Sequence, residues 1–187
     1  MQDWIPIPGT AKARLVEAAI HQFEMAGYDA VNVTELASKA GVTTGALYHH
    51  FGSKLELYLV VRNEMERRIV ERMEGAAAAT SGRGAPRAAL LVAFDAAVRF
   101  GVCRILAEPV PVASDDPVEA SLRSLLPRRL GTAGAVLAAA WRAALLAVAA
   151  GTPSPTARAS LEYVLKPASG VAAPAGWHGS PAGRGSR

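Results

Sequence analysis

Cysteine is almost missing from these 187 residues: Cys103 stands alone, which excludes an intramolecular disulfide and leaves no basis for a cysteine-built metal centre. The four histidines, His21, His49, His50 and His178, form no HExxH pair and fall at no zinc-ligand spacing. There is no GxSxG, no Walker loop, and no GxGxxG after a strand-like run. The adjacent carboxylates Asp115-Asp116 suit the first turn of a helix. With no residues to carry chemistry, an enzyme is excluded, and neither cofactor nor metal is expected. Aromatic residues make up only 6%, against 51% apolar residues overall, mostly Ala, Leu and Val; this composition predicts an all-α protein. No charged start leads into an apolar run, so no signal peptide is expected. Ala133 to Ala150 is the nearest approach to a membrane span, but it carries Arg142 near its middle, which costs about 2.5–3.5 kcal/mol on insertion scales. A soluble cytoplasmic chain with no membrane partner is expected.

Positive charge is also scarce where it would be most telling. The formal net charge is +4, yet residues 1–54 hold four cations (Lys12, Arg14, Lys39, Lys54) against five anions (Asp3, Glu17, Glu24, Asp29, Glu35), a net of −1. The excess, +5, lies in residues 55–187. Net charge therefore gives no support to nucleic-acid binding by the first third of the chain.

What is present there is a pattern. Between Thr34 and Phe51 the sequence reads TELASKAGVTTGALYHHF. Thr34 can cap a helix with Glu35 in its first turn; Leu36, Ala37 and Ala40 share one face, and Gly41 supplies a left-handed stop. Thr43 can cap a second helix, with Leu47, Tyr48 and Phe51 as its apolar stripe. Thr44, Gly45 and Ala46 keep the start of that helix small enough to approach another surface closely. This is a helix-turn-helix pattern, in which the second helix enters a major groove N-terminus first.

The flanks sharpen the reading. Phe23, Ala26-Gly27-Tyr28, Val33-Thr34, Leu36-Ala37, Ala40-Gly41-Val42 and the run Gly45-Ala46-Leu47-Tyr48-His49-His50-Phe51 followed by Lys54 resemble the tetracycline-repressor-type (TetR) family. About forty-five residues carry this resemblance; the remainder matches only in outline. It implies that Thr34, Tyr48, His49 and Lys54 hold the phosphate backbone, and that Thr43, Thr44, Gly45 and Ala46 face base edges. Thr44 is the one polar side chain long enough for direct readout, so thymine-methyl contacts, water and DNA shape must supply much of the specificity.

In chain order, Met1 to Gly9 is a proline-broken arm, and Thr10 caps a first helix whose stripe is Leu15, Ala19, Phe23 and Ala26, ended by Gly27. Ser53 caps a long helix to Glu74, with Leu55, Tyr58, Val61, Met65, Ile69 and Met73 inward and Glu64 outside. By the resemblance, this helix is a lever between the two halves. Gly75 to Pro86 is a loop unless the alanine run extends the helix. Arg87 to Gly101 is helical, with Asp95 and Arg99 paired outside. Ser114 caps a helix that ends at Arg128, Arg129 and Gly131. Cys103 reads as a small buried apolar residue.

The helix from Ala133 to Ala150 is apolar nearly all round. Leu137, Trp141, Ala144, Leu145 and Val148 form one stripe, and Val136, Ala139, Ala140, Ala143 and Ala147 the opposite one, so both sides need cover. A final helix carries Ala157, Leu161, Val164 and Leu165. In the resembling family the last two helices form a four-helix dimer interface, which assigns Val136, Ala139, Ala140, Ala143, Ala147, Leu161, Val164 and Leu165 to a homodimer. An effector pocket bounded by Phe94, Phe100, Cys103 and Trp141 would suit a lipophilic molecule, with Arg99, Arg104 or Arg142 for an anionic head group.

The expected organisation is an arm and helix-turn-helix domain in residues 1–53, an effector-binding and dimerisation domain in 54–166, and a disordered tail in 167–187. The expected role is a ligand-responsive repressor, bound as a dimer to a palindromic double-stranded DNA operator and held at the bacterial nucleoid. The alternative is a helical adaptor whose helix-turn-helix binds protein.

Overall fold

The computed structural model describes residues 8–80, 82–112 and 115–166; the arm before residue 8, the Ser114 cap and the tail expected from 167 lie outside them. Among the described residues the chain is all-α, with no strand. An N-terminal helix-turn-helix unit comprises α1 (Ala11–Ala30), α2 (Val33–Lys39) and α3 (Thr44–Phe51). A helical bundle follows: α4 (Lys54–Ala78), α5 (Ala85–Phe100), α6 (Cys103–Ala107), α7 (Pro117–Ser124), α8 (Ala133–Ala149) and α9 (Ser154–Val164).

Local chemistry sets most of these boundaries. The Thr10 hydroxyl accepts from the Ala13 N–H at the start of α1. Gly27 interrupts the end of α1 with φ 78°, a conformation glycine adopts without a Cβ penalty. Ser53 caps α4 by accepting from the Glu56 N–H. The helix then runs 25 residues, about 37 Å at 1.5 Å per residue; the alanine run does extend it past Glu74.

A single apolar cluster passes from Leu15 and Phe23 in α1, through Tyr58, Met65 and Ile69 in α4 and Phe94 in α5, to Trp141 in α8 and Leu161 in α9. The helix-turn-helix unit is therefore seated on the bundle through packed side chains. Phe23, Tyr28 and Tyr58 form the aromatic joint, with Phe23–Tyr58 and Tyr28–Tyr58 centroids each 5.0 Å apart.

Several local expectations are corrected. Asn32, not Thr34, caps α2, its Oδ1 accepting from the Thr34 and Glu35 N–H groups at 2.8 and 3.2 Å; the helix begins two residues earlier than the threonine implied. Ala26 is exposed, and Gly27 is buried in its place. Glu64 is buried, covered by Arg67 and Arg68, which it bonds. Asp95 pairs not with Arg99 but with the Arg158 fork of α9, at 2.8 and 3.1 Å, because a bidentate partner outcompetes a neighbour on its own helix. Asp116 caps α7 through Val118 and Glu119. That helix stops at Ser124, before Pro127, and Arg128 and Arg129 follow in a 3₁₀ turn; proline has no N–H to continue a helix. Of the residues assigned to a dimer surface, Leu161 faces its own core. Leu146 and Tyr163, which were not assigned there, are exposed.

The cap assignment predicts that Asn32→Ala costs about 1 kcal/mol, lowering the melting temperature by about 2–4 °C for a chain of this size. Thr34→Ala should cost almost nothing. Equal losses in thermal unfolding would show that Oδ1 of Asn32 does not hold the helix start.

Candidate nucleic-acid interface

The turn between α2 and α3 is closed by its own backbone. Gly41, at φ 64°, donates to the Ser38 carbonyl, and Val42 donates to that of Ala37, both at 3.0 Å. The Thr43 hydroxyl then accepts from the Ala46 N–H at 3.1 Å, which fixes the start of α3. Leu47 and Phe51 anchor α3 in the core. The opposite face is open: Thr43, Gly45, Tyr48, His49 and His50 are exposed, while Thr44 and Ala46 are half-buried at its edge. Tyr48, whose stripe position also suited the core, is 50% exposed. Thr34 is exposed at the start of α2. The N-terminal ends of α2 and α3 add the partial positive charge of their free N–H groups.

Side-chain cations near this face are mostly engaged. Arg14 donates to the carbonyls of Ala40 and Gly9 at 3.0 and 2.8 Å. Lys39 pairs with Glu35 at 2.8 Å and donates to the Gln22 Oε1. Lys54, expected at a phosphate, is instead turned into the protein. Its Nζ donates to the carbonyls of Tyr28 and Val31 at 2.9 and 3.1 Å, with Asp29 at 3.4 Å, and lies 4.5 Å from the Tyr28 ring centroid. The break at Gly27 leaves these carbonyls without helical donors, and the ammonium supplies them.

Among the described residues, the six expected to bound an effector pocket are spread apart: Phe94 and Arg99 line a cavity beside the start of α9, and the other four lie away from it. Phe94, Cys103 and Trp141 are fully packed in the core, and burial, with the Glu24 carboxylate nearby, pushes the Cys103 thiol up to about 12. Arg99 is exposed, and Phe100 lies under the Arg72 guanidinium. Arg104 is a structural clamp: it donates to the Glu24 carbonyl, the Glu108 carboxylate and the Ala149 carbonyl at the end of α8.

Around α6 lies a polar cluster that the sequence reading passed over. The Glu24 carboxylate of α1 accepts from the backbone N–H groups of Arg104 and Ile105. Burial raises its carboxyl above the ordinary range, although those N–H groups and Arg104 pull the other way. Arg62, only 2% exposed, donates to the carbonyls of Ile105 and Glu108 at 2.5 and 2.7 Å and to Glu66 at 3.0 Å. The signal was available: Arg62 and Glu66 are four apart inside the arc of Tyr58, Met65 and Ile69, where a paired i,i+4 set can be buried.

Taken together, the fold and this exposed helix define an all-α protein with an N-terminal helix-turn-helix among the described residues. Residues 15–61 match the family model described as bacterial regulatory proteins, tetR family, so the likeness to that family lies in this N-terminal segment. It is 39% identical over 88 residues to the HTH-type transcriptional activator FasR of Mycolicibacterium smegmatis, a match covering 45% of this chain and 39% of that one. It is 37% identical over 60 residues to the repressor AcnR of Corynebacterium jeikeium, covering 32% of each. The chain thus spans about a third to two fifths of the length of these relatives. In fold it is similar to a TerR/AcrR-family transcriptional regulator from Aquifex aeolicus (TM-score 0.62, 20% identity, 83% of this chain and 98% of that one). It is also similar to PfmR of Thermus thermophilus (TM-score 0.57, 24% identity, 86% and 97%).

The geometry at Lys54 predicts that Lys54→Met lowers stability by about 1.5–3 kcal/mol, the range for hydrogen bonds to a charged group, read in urea unfolding. Unchanged stability with a DNA salt slope reduced by about one unit would return Lys54 to a phosphate.

Proposed function

We propose that this chain is a DNA-binding transcriptional regulator that acts as a homodimer on a palindromic operator and responds to a small ligand. Residues to about 53 serve DNA, and residues 54–166 serve effector binding and dimerisation. Repression is the first expectation, in keeping with the repressors among its relatives. The observation that carries the reading is the exposed N-terminal face of α3, with Leu47 and Phe51 anchoring it from behind, inside the segment matched to the family. Thr43, Thr44, Gly45 and Ala46 would meet base edges, and Thr34, Tyr48 and His49 the backbone. No helix among the described residues is long and apolar enough to cross a membrane, in keeping with a chain that works at the nucleoid.

Selection from a random duplex library tests this directly. A palindrome should be enriched, with affinity falling linearly in log salt. Thr44→Ala should relax discrimination at one or two positions by about 1 kcal/mol or more, while Tyr48→Phe weakens all sequences alike. Failure to enrich any duplex would leave a protein-binding adaptor as the better reading.

Dimerisation has its own support. Val136, Ala139, Ala143 and Leu146 of α8 are exposed along one side, and Tyr163 and Val164 are 80% and 63% exposed on α9. Ala140, Ala147 and Leu165 are half-buried at its border. An apolar surface of this kind marks an interaction site. Ala143→Glu should place like charges across the two-fold axis and yield a folded monomer by sedimentation, since its side chain supports no core contact. A monomeric wild type, or an unaffected dimer in the variant, would defeat this assignment.

A further inference from the structure

Two cavities share the side chain of Glu66. The inner one, about 360 Å³, has Arg62, Val110, Val112 and Arg142 in its walls. The outer one, about 530 Å³, has Asn63, Val70, Pro117 and Ala120. Asp115 and Asp116 also line both. Together they have the size and the mixed apolar and polar walls of a small-molecule site.

The charges are unequal in number and in availability. Carboxylates in the walls are Glu66, Glu71, Glu74, Glu108, Asp115 and Asp116, against the guanidinium groups of Arg62, Arg67 and Arg142. Each arginine is already held: Arg62 by Glu66 and the α6 carbonyls, Arg67 by Glu64 and Glu71, and Arg142 by Asp116 at 2.5 Å and the Leu106 carbonyl. Glu66 is different. It is only 6% exposed; its Oε1 accepts from Arg62 at 3.0 Å, and its Oε2 accepts from no described residue. That second oxygen is open to the cavities that Glu66 lines, where an entering donor can reach it. Glu74 and Asp115 make no ion pair among the described residues and add negative potential at the outer end.

We infer that the double cavity binds a small organic cation, a protonated amine carried on an apolar body. The amine sits on Oε2 of Glu66, with the carboxylates of Asp115 and Asp116 alongside, and the body lies along Val70, Pro117 and Ala120. The expected lipophilic effector with an anionic head group is replaced by one of opposite charge. As a regulatory ligand this rests on the DNA-binding reading; as a site it does not.

The test uses the full chain without DNA and three probes that differ only in the head group: dansylcadaverine, its N-acetyl derivative, and dansyl-6-aminohexanoic acid. Fluorescence titration should show saturable binding of the amine, one per chain, at least tenfold tighter than the neutral and anionic probes. Glu66→Gln keeps the side-chain shape and an acceptor for Arg62, and should erase the tenfold preference while leaving the acetylated probe unchanged. Ala120→Trp, on the exposed rim, should weaken all three by filling the outer cavity. Equal affinity for the three head groups, an amine preference that survives Glu66→Gln, or no saturable binding would each overturn the inference. Because no DNA is present, these outcomes are independent of whether a duplex is enriched.

Discussion

The structure turns on how the two ends of α6 are held. A five-residue helix cannot sustain itself in isolation, and α6 has no side-chain cap of its own at its start. Its free N–H groups are taken by Glu24 from α1, and its terminal carbonyls by Arg62 from α4 and Arg142 from α8. Buried backbone polar groups must find partners, so these three helices have fixed positions relative to α6. Gly27 lies beside the end of α6. A Cβ there would lie 3.0 Å from both carboxylate oxygens of Glu108, a side-chain end that can give way, so it is the φ of 78° that calls for glycine at this position.

The helix-turn-helix unit inherits this fixation through α4. Near its start, Lys54 ties α4 to the carbonyls following the Gly27 break; two turns on, Arg62 ties it to α6. Glu24 closes the loop from α6 back to α1. Thus α1 and α4 are joined directly and also through α6, with the aromatic joint of Phe23, Tyr28 and Tyr58 between. A long helix attached at one point could swing independently of its neighbour, whereas two attachments make α1 and α4 turn together. A lever of the kind the resemblance implies for α4 would therefore depend on this closed set of contacts as well as on the rod.

What the sequence made legible is what neighbouring residues decide. The Gly41 turn, the Thr43 and Ser53 caps, and the burial of Leu47 and Phe51 in α3 follow from bonds and spacings of five residues or fewer and stand as read; Tyr48, read on the same stripe, is exposed. The misreadings came from competition between candidates. Asn32 and Thr34 can both cap, and Asn32 sits where its Oδ1 reaches two N–H groups. Asp95 had a partner four residues away, but a better one 63 residues away. Lys54 was placed at a phosphate by resemblance, and only the folded chain brings three carbonyls to it. The cavities were harder still. They lie where α4, α7 and the segment before α7 leave space, and their charge depends on which arginines are already engaged.

This last feature bears on regulation. A ligand shifts DNA binding only by its difference in affinity between two arrangements of the protein. Glu66 shares its carboxylate between Arg62 and the cavities, and Arg62 is the residue that grips the carbonyls of α6. Burial raises the Glu66 carboxyl above its ordinary range even with Arg62 and Arg142 opposing, so its charged form is under-compensated by the protein alone. A cation on Oε2 would complete that compensation and draw Glu66 away from Arg62, loosening the hold on α6. The free energy needed is modest: coupling of about 1–3 kcal/mol changes affinity roughly 5–150-fold, comparable to one hydrogen bond to a charged group. Reciprocity then requires DNA to weaken the cation's binding by the same factor. An arrangement in which one carboxylate serves both the ligand and the clamp meets that requirement with no further contact between the sites.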